Sequence, residues 1–319
     1  MPRNINHDRL RLLFKIGNLY YLESNTQQQI SEKLGLSRPM VSRLLKQARE
    51  EGIVQIHILP LRGNFHELES ALEKKFNLKE AVVIDVEPDQ SQGYISRQIG
   101  ISATEHFLRT VKNNDTIGIT WGSTLKALAD AMHPADFQNL HLVQVLGGLG
   151  PPGSDIHPST ICARMASLLN CSYTIFPSPG VAETKETKGA YLTDSYVSNA
   201  LKTIKKINVA YVGIGSMAND SLIVREKIIT PDDLNYLRKK GAVGDIGLRF
   251  FDIEGSPVQS NFDERVIGAD FEDLKRIPRV IGLAGGQQKY EAVMGALKGN
   301  FIKVLITDIN LATLLIDGN

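Results

Sequence analysis

From residue 79 onward the chain alternates short, β-branched runs with helical patterns, and few folds satisfy that rhythm. The candidate strands are AVVID (81–85), DTIGIT (115–120), HLVQVLGG (141–148), SYTIFP (172–177), NVAYVGIG (208–215), GDIGLRFFD (244–252), RVIGLAGG (279–286) and KVLITD (303–308). Helical periodicity fills many of the intervals, at 93–112, 123–133, 158–169, 183–204, 231–240 and 287–298. Strands that read as continuous apolar runs and are joined through helices imply right-handed crossovers and a mainly parallel sheet covered on both faces. A ligand in such a sheet binds beyond the carboxyl ends of the strands.

Residues 1–60 follow a different rule. In TQQQISEKLGLSRPMVSRLLKQAREE (26–51), Thr26 is placed to cap a first helix, in which Ile30 and Leu34 share a face and which Gly35 ends. Leu36 plugs the bend, Ser37 is placed to cap a second helix, and Pro39 falls in its first turn, where a missing N–H is harmless. Met40, Val41, Leu44, Leu45 and Ala48 then form an apolar stripe, which leaves Arg38, Ser42, Arg43, Lys46 and Arg49 on the other faces. Two short helices around a Gly-containing turn, the second with a cationic outer face, are the parts of a helix-turn-helix DNA reader; composition alone fits a solvated helical hairpin equally well. HDRLRLLFKIGNLYYL (7–22) predicts a helix covering this pair through Leu10, Leu13, Phe14, Gly17, Leu19, Tyr20 and Tyr21, and IVQIHIL (53–59) alternates as a short strand or wing would.

Charge is distributed to match. The 319-residue chain has a net charge of only +1, yet its first 60 residues hold nine Lys/Arg against five acidic residues, or +4, and the remainder carries −3. The phosphate-attracting surface therefore lies on the small N-terminal domain. Cys162 and Cys171 are too few for a disulfide framework and match no zinc or redox spacing, so no metal or cofactor is called for and a reducing cytoplasm is expected. No run reaches the roughly 20 apolar residues of a membrane span. A domain boundary is expected near 60–78, where Pro60 to Gly63 punctuate the chain and Phe65, Leu68, Leu72 and Phe76 mark an amphipathic helix. That helix suits either a dimer seam or packing on its own chain.

Several strands end in small residues just before a helix. Gly122 permits close backbone approach in GITWGSTL, and Ser123 and Thr124 put hydroxyls at a helix N-terminus, which favours an anion. The loop beginning Gly147-Gly148 leads to His157 at the next helix start. Lys289, in GGQQK, places a cation where the helix dipole disfavours one unless an anion is near. Asp245, among small and apolar residues in GDIG, needs partners: sugar hydroxyls or backbone donors. Asp308 reads as a helix cap.

QQQISEKLGLSRPMVSRLLKQAREEGIV resembles the DNA-binding domain of the SorC family of bacterial sugar-responsive transcription regulators, which includes deoxyribonucleoside and central-glycolysis regulators. GITWGSTL, VQVLGGLG, STICARMA, VGIGSM, GAVGDIGLRFFD, GLAGGQQKYEAVMGALKG and VLITD resemble the effector domain of the same family, so the likeness spans nearly the whole chain. It implies an α/β protein: a small all-α, winged helix-turn-helix domain (1–60), a linker helix (61–78) and a Rossmann-like effector and oligomerisation domain (79–319) similar to sugar-phosphate isomerases and CoA transferases. It implies double-stranded operator DNA and a sugar or sugar-phosphate inducer as partners, often a homotetramer, and no enzymatic activity; the alternative is an isomerase- or transferase-like enzyme with a fused DNA reader. Arg38, Ser42 and Arg43 are then the residues near base edges, with Thr26, Gln28, Lys46 and Arg49 on the DNA backbone. Gly122, Ser123, Thr124, Gly148, His157, Asp245 and Lys289 are the ligand-binding candidates. The glycolytic branch has an arginine just before Gly-Gly-Leu-Gly, where this chain has Leu146, which turns the expectation from a bisphosphate toward a monophosphorylated or free sugar.

Overall fold

The computed structural model describes residues 4–56, 65–150 and 154–318, and divides into two compact units, 1–64 and 65–319. In the first, α1 (Asn4–Gly17) runs into a π-helical turn, Asn18–Leu22. It is followed by α2 (Gln27–Leu34) and α3 (Arg38–Glu50). Thr26 and Gln29 form a reciprocal capping box on α2, and Gly35 ends it at φ 66°. Ser37 occupies the N-cap position of α3 with extended backbone, but its hydroxyl makes no capping bond, contrary to expectation. The core joins Leu13, Ile16 and Leu19 to Ile30, Val41, Leu44, Leu45 and Ala48. Met40, counted in the apolar stripe, is instead exposed: it lies at the stripe's edge in the first turn, to one side of the face that Val41, Leu44, Leu45 and Ala48 bury. Of the expected strand at 53–59, residues 53–56 are irregular and 57–59 lie outside the described residues.

In the second unit, α4 (His66–Phe76) precedes β1 (Glu80–Ile84), α5 (Gln92–Thr110), β2 (Thr116–Ile119), α6 (Ser123–Ala131), β3 (His141–Gln144), α7 (Pro158–Leu168) and β4 (Ser172–Thr174). Then come α8 (Lys185–Thr193), α9 (Ser195–Ile204), β5 (Val209–Gly213), β6 (Gly215–Ser216), α10 (Leu222–Arg225), α11 (Pro231–Lys239), β7 (Gly244–Ile246) and β8 (Arg249–Phe251). The chain closes with α12 (Phe271–Arg276), β9 (Arg279–Leu283), a 3₁₀ turn at Gln287–Lys289, α13 (Tyr290–Lys298), β10 (Val304–Asp308) and α14 (Ile309–Asp317). Seven strands form one parallel sheet in the order β1-β10-β9-β5-β2-β3-β4. Its central strands are buried on both faces, which is why β5 reads VAYVG without a charged residue and β10 is apolar until Thr307 and Asp308 at its carboxyl end.

Two runs that read as single elements are divided. Asp194 accepts from the backbone N–H groups of Tyr196 (2.8 Å) and Val197 (3.1 Å), so its carboxylate starts a new helix, α9, within 183–204. The run 244–252 is a hairpin, β7 and β8, with β6 as the third strand of a small antiparallel sheet. The helix read as a linker belongs to this second unit. Leu72 of α4 is fully buried, Glu73 accepts from Ala81 N–H (3.0 Å), Glu69 accepts from Val83 N–H (2.9 Å), and Lys75 donates to the carbonyls of Leu315 and Ile316 at the end of α14.

Candidate functional site

The strand order sets where a cavity opens. From β2 the chain steps outward through β3 and β4, then returns to β5 on the other side of β2 and proceeds through β9 and β10. The two βα connections leaving β2 and β5 thus diverge, and a crevice opens between them. A cavity of about 430 Å³ lies there, lined by Trp121 to Leu125, Gly213 to Ser216, Ser221 to Ile223, Asp245, Gln288 and Lys289, with Gln92 and Ser96 from α5. Thr120 Oγ accepts from Gly213 N–H at 3.0 Å and ties the two strand ends together.

Three groups give the cavity its chemistry. The N-terminus of α6 carries no side-chain cap: Gly122 holds φ 110°, and Ser123 and Thr124 follow it. Free N–H groups and the helix dipole there favour a negative charge. Asp245, 3% exposed, accepts from Leu248 N–H with Oδ2 at 3.0 Å, while Oδ1 has no partner among the described residues. Burial pushes its carboxyl up to about 6, opposed by that N–H bond and by the charge of Lys289. Gly215 faces it across the β6–β7 pair, and a Cβ there would lie 2.0 Å from Oδ1. Lys289 donates from Nζ to the Ile214 carbonyl at 2.8 Å, and burial pushes its ammonium down to about 8, with Asp245 pulling the other way.

The surrounding loop is held by polar bonds. Asp308, fully buried, accepts from Gly286 N–H through Oδ2 (2.6 Å) and caps α14 through Oδ1, so one carboxylate anchors the Gly285-Gly286 turn that delivers Lys289. Gln288 donates to the Gln92 amide oxygen, and Gln92 donates to the Gly285 carbonyl at 3.1 Å.

In the first unit, α3 presents Arg38, Ser42, Arg43, Lys46 and Arg49 to solvent, and Thr26 and Gln28 are also exposed. Arg38, Arg43 and Arg49 have no ion pair or side-chain hydrogen bond among the described residues, so three guanidinium groups stand unpaired on one helix. Lys46 lies 3.6 Å from Glu50, and Gln28 donates to Glu32 at 2.9 Å. The Thr26 hydroxyl is engaged in its cap, accepting from Gln29 N–H at 3.2 Å.

Both units match known proteins. The model of the Sugar-bind family, a sugar-binding domain, matches residues 62–317, and a winged helix-turn-helix DNA-binding model matches 23–55. The chain is 31% identical over 313 residues to the deoxyribonucleoside regulator of Bacillus subtilis (strain 168), covering 98% of this chain and 99% of that protein. It is 30% identical over 320 residues to the sorbitol operon regulator of Klebsiella pneumoniae, with 98% and 99% coverage. The crystal structure of that full-length regulator, SorC, superposes with a TM-score of 0.73 over 96% of this chain and 98% of the other. The chain belongs to the SorC family of sugar-binding transcription regulators.

In this SorC-family chain the structure gathers Gly122, Ser123, Thr124, Asp245 and Lys289 around one cavity. It places Gly148 and His157 beside each other but outside the lining. His157 caps α7 by accepting from Ser159 N–H at Nδ1 (3.3 Å), burial lowers its pKa, and its Nε2 sits where a Cβ on Gly148 would come within 2.8 Å. Gly148 donates to the Ser178 carbonyl at 2.8 Å. Among the described residues of that part of the chain, Ile156 alone reaches the cavity. Sequence reasoning missed Gln92, Trp121, Ser221, Arg225 and Glu226, which also line it. Trp121, the single tryptophan, sits inside GITWGSTL and was legible; residues 218–226 have no periodic pattern and gave no signal.

Proposed function

We propose that this regulator controls a carbohydrate-utilisation operon by binding operator DNA through α3 and a sugar or sugar monophosphate in the cavity of the second unit. The observation that supports it best is the pairing, in one cavity, of a buried carboxylate oxygen with no partner and an uncapped helix N-terminus beside a lysine. A carboxylate accepts from vicinal hydroxyls, and free N–H groups with a cation hold a phosphate, so a polyol carrying one anion satisfies both ends. The volume lies within the roughly 300–1,000 Å³ of small-molecule sites. Relatives named for sorbitol and for deoxyribonucleosides support the carbohydrate class.

Arg38, Ser42 and Arg43 read base edges, and Thr26, Gln28, Lys46 and Arg49 position the helix on phosphates. The regulator acts in the cytoplasm as a homotetramer, and the cavity senses its ligand without turning it over. A thermal-shift screen with sugars and sugar phosphates tests the assignment, because a ligand that binds only the folded state raises its melting temperature by mass action. One class of sugar or sugar phosphate should stabilise the wild type and leave Asp245→Asn and Lys289→Ala unmoved. Equal stabilisation of the variants would remove the cavity from the account.

A further inference from the structure

Helix α1 buries one face, Leu13 and Ile16, in the core of the DNA-reading unit. Its exposed side is mixed: Arg11 lies opposite the core face, and beside it stand two apolar side chains, Leu10 at 42% and Phe14 at 59% exposed, four residues apart and therefore neighbours on the helix surface. These side chains and Ile53 border a shallow groove whose margin is Asp8, Arg11 and Lys15. Large apolar side chains side by side on a helix that already has a core face mark a surface that another molecule covers. The charges beside them are available as well: Asp8, Arg11 and Lys15 make no ion pair or side-chain hydrogen bond among the described residues, whereas their neighbour Arg9 is tied to Glu51 at 2.9 Å.

We propose that α1 is the seam on which two copies of this chain pair their DNA readers, crossing antiparallel about a two-fold axis near Leu12. The arrangement follows from spacing. A two-fold axis at that point lays Leu10 of one copy on Phe14 of the second, twice, along one side of the seam, with Arg11 of each copy between these contacts and the charged side. It also sets Asp8 of each copy beside Lys15 of the other, two turns away in sequence and opposite in charge, once at each end. A parallel crossing would align like with like and set Asp8 against Asp8. An isologous pair of readers is what a two-fold operator requires, and α1 can supply it without occupying α3, whose cationic face remains open.

The test uses the full-length chain with Cys162→Ala and Cys171→Ala, so that Phe14→Cys is the single thiol. A bis-maleimide about 10 Å long, matched to the spacing of packed helices, should convert this protein to covalent dimers. The parent lacking Phe14→Cys should give none. Asp8→Lys or Lys15→Asp alone should lower the dimer yield by about two-fold or more, the scale of losing two exposed ion pairs, and the double exchange should restore it. A thiol that takes a monofunctional maleimide yet gives no dimer would overturn the seam. A thiol protected from both reagents would show that something other than a second copy covers α1, and single reversals without effect, or a double exchange that fails to rescue, would refute the antiparallel register.

Discussion

Asp245 and Lys289 are each held in an unfavourable charge state, in opposite directions. Asp245 titrates near 6 in the folded protein, above the usual carboxylate range, so its contribution to stability is present at low pH and is lost as pH rises through about 6. Lys289 is depressed to about 8, so its contribution is present at high pH and is lost as pH falls through about 8. An anionic polyol reverses both costs, since its hydroxyls donate to the ionised Asp245 and its anion pairs with the charged Lys289. Affinity for a sugar phosphate should therefore peak between about 6 and about 8. Calorimetric titration of the wild type across pH should show a bell with its limbs near 6 and near 8, and an affinity that is flat across that range would contradict it. Gly215 has a narrower role, to leave room for that carboxylate. With 2.0 Å between a hypothetical Cβ and Asp245 Oδ1, Gly215→Ala must displace it. The substitution should cost about 1–3 kcal/mol in chemical denaturation, the range for overpacking, and weaken the ligand more than it weakens the fold. Both charged residues were legible from sequence because each broke a local rule, a carboxylate among small apolar neighbours and a cation at a helix start. His157 broke none, and its helix-capping role was indistinguishable from a ligand contact until Ser159 was seen beneath it.

Elements were legible wherever period and caps agreed. The capping box of α2, the left-handed Gly35 and the β-branched strands of the large sheet all follow from local chemistry. The hairpin of β7 and β8 did not, since its turn is Gly247 (φ 59°) followed by Leu248 (φ 63°) in place of the Asn-Gly or Asp-Gly pair that signals such a turn. Leucine tolerates the left-handed conformation here because its side chain is fully buried and its N–H is held by Asp245. The strain is thus offset by packing, and it fixes the carboxylate in the cavity. On α3 the proposed reading separates two kinds of contact, Arg43 on a base edge and Lys46 on a phosphate. Arg43→Ala should cost about 1–3 kcal/mol on the cognate sequence and relax specificity at one base pair, whereas Lys46→Ala should weaken all sequences alike and lower the salt slope by about one. Anisotropy titrations at several salt concentrations would separate them, and equal losses on every sequence for both variants would take base reading away from Arg43.

For the molecule as a whole, sequence foresaw a cationic reader followed by a parallel sheet, and left α4 open between a dimer seam and packing on its own chain, because an amphipathic helix says that it packs without saying on what. Glu69 and Glu73, hooked to the backbone of β1, supply the answer. Function at this scale is coupling: a ligand in the cavity alters DNA affinity only if it favours one arrangement of the chain over another, with about 1–3 kcal/mol as the usual size. The direct measurement is affinity for the promoter DNA upstream of the regulator's own operon, with and without the sugar or sugar phosphate that stabilises the protein. The account requires a change of about 5- to 150-fold, lost in Asp245→Asn and Lys289→Ala while their ligand-free affinity stays at the wild-type value. A ligand that fills the cavity and leaves promoter affinity unchanged would contradict it.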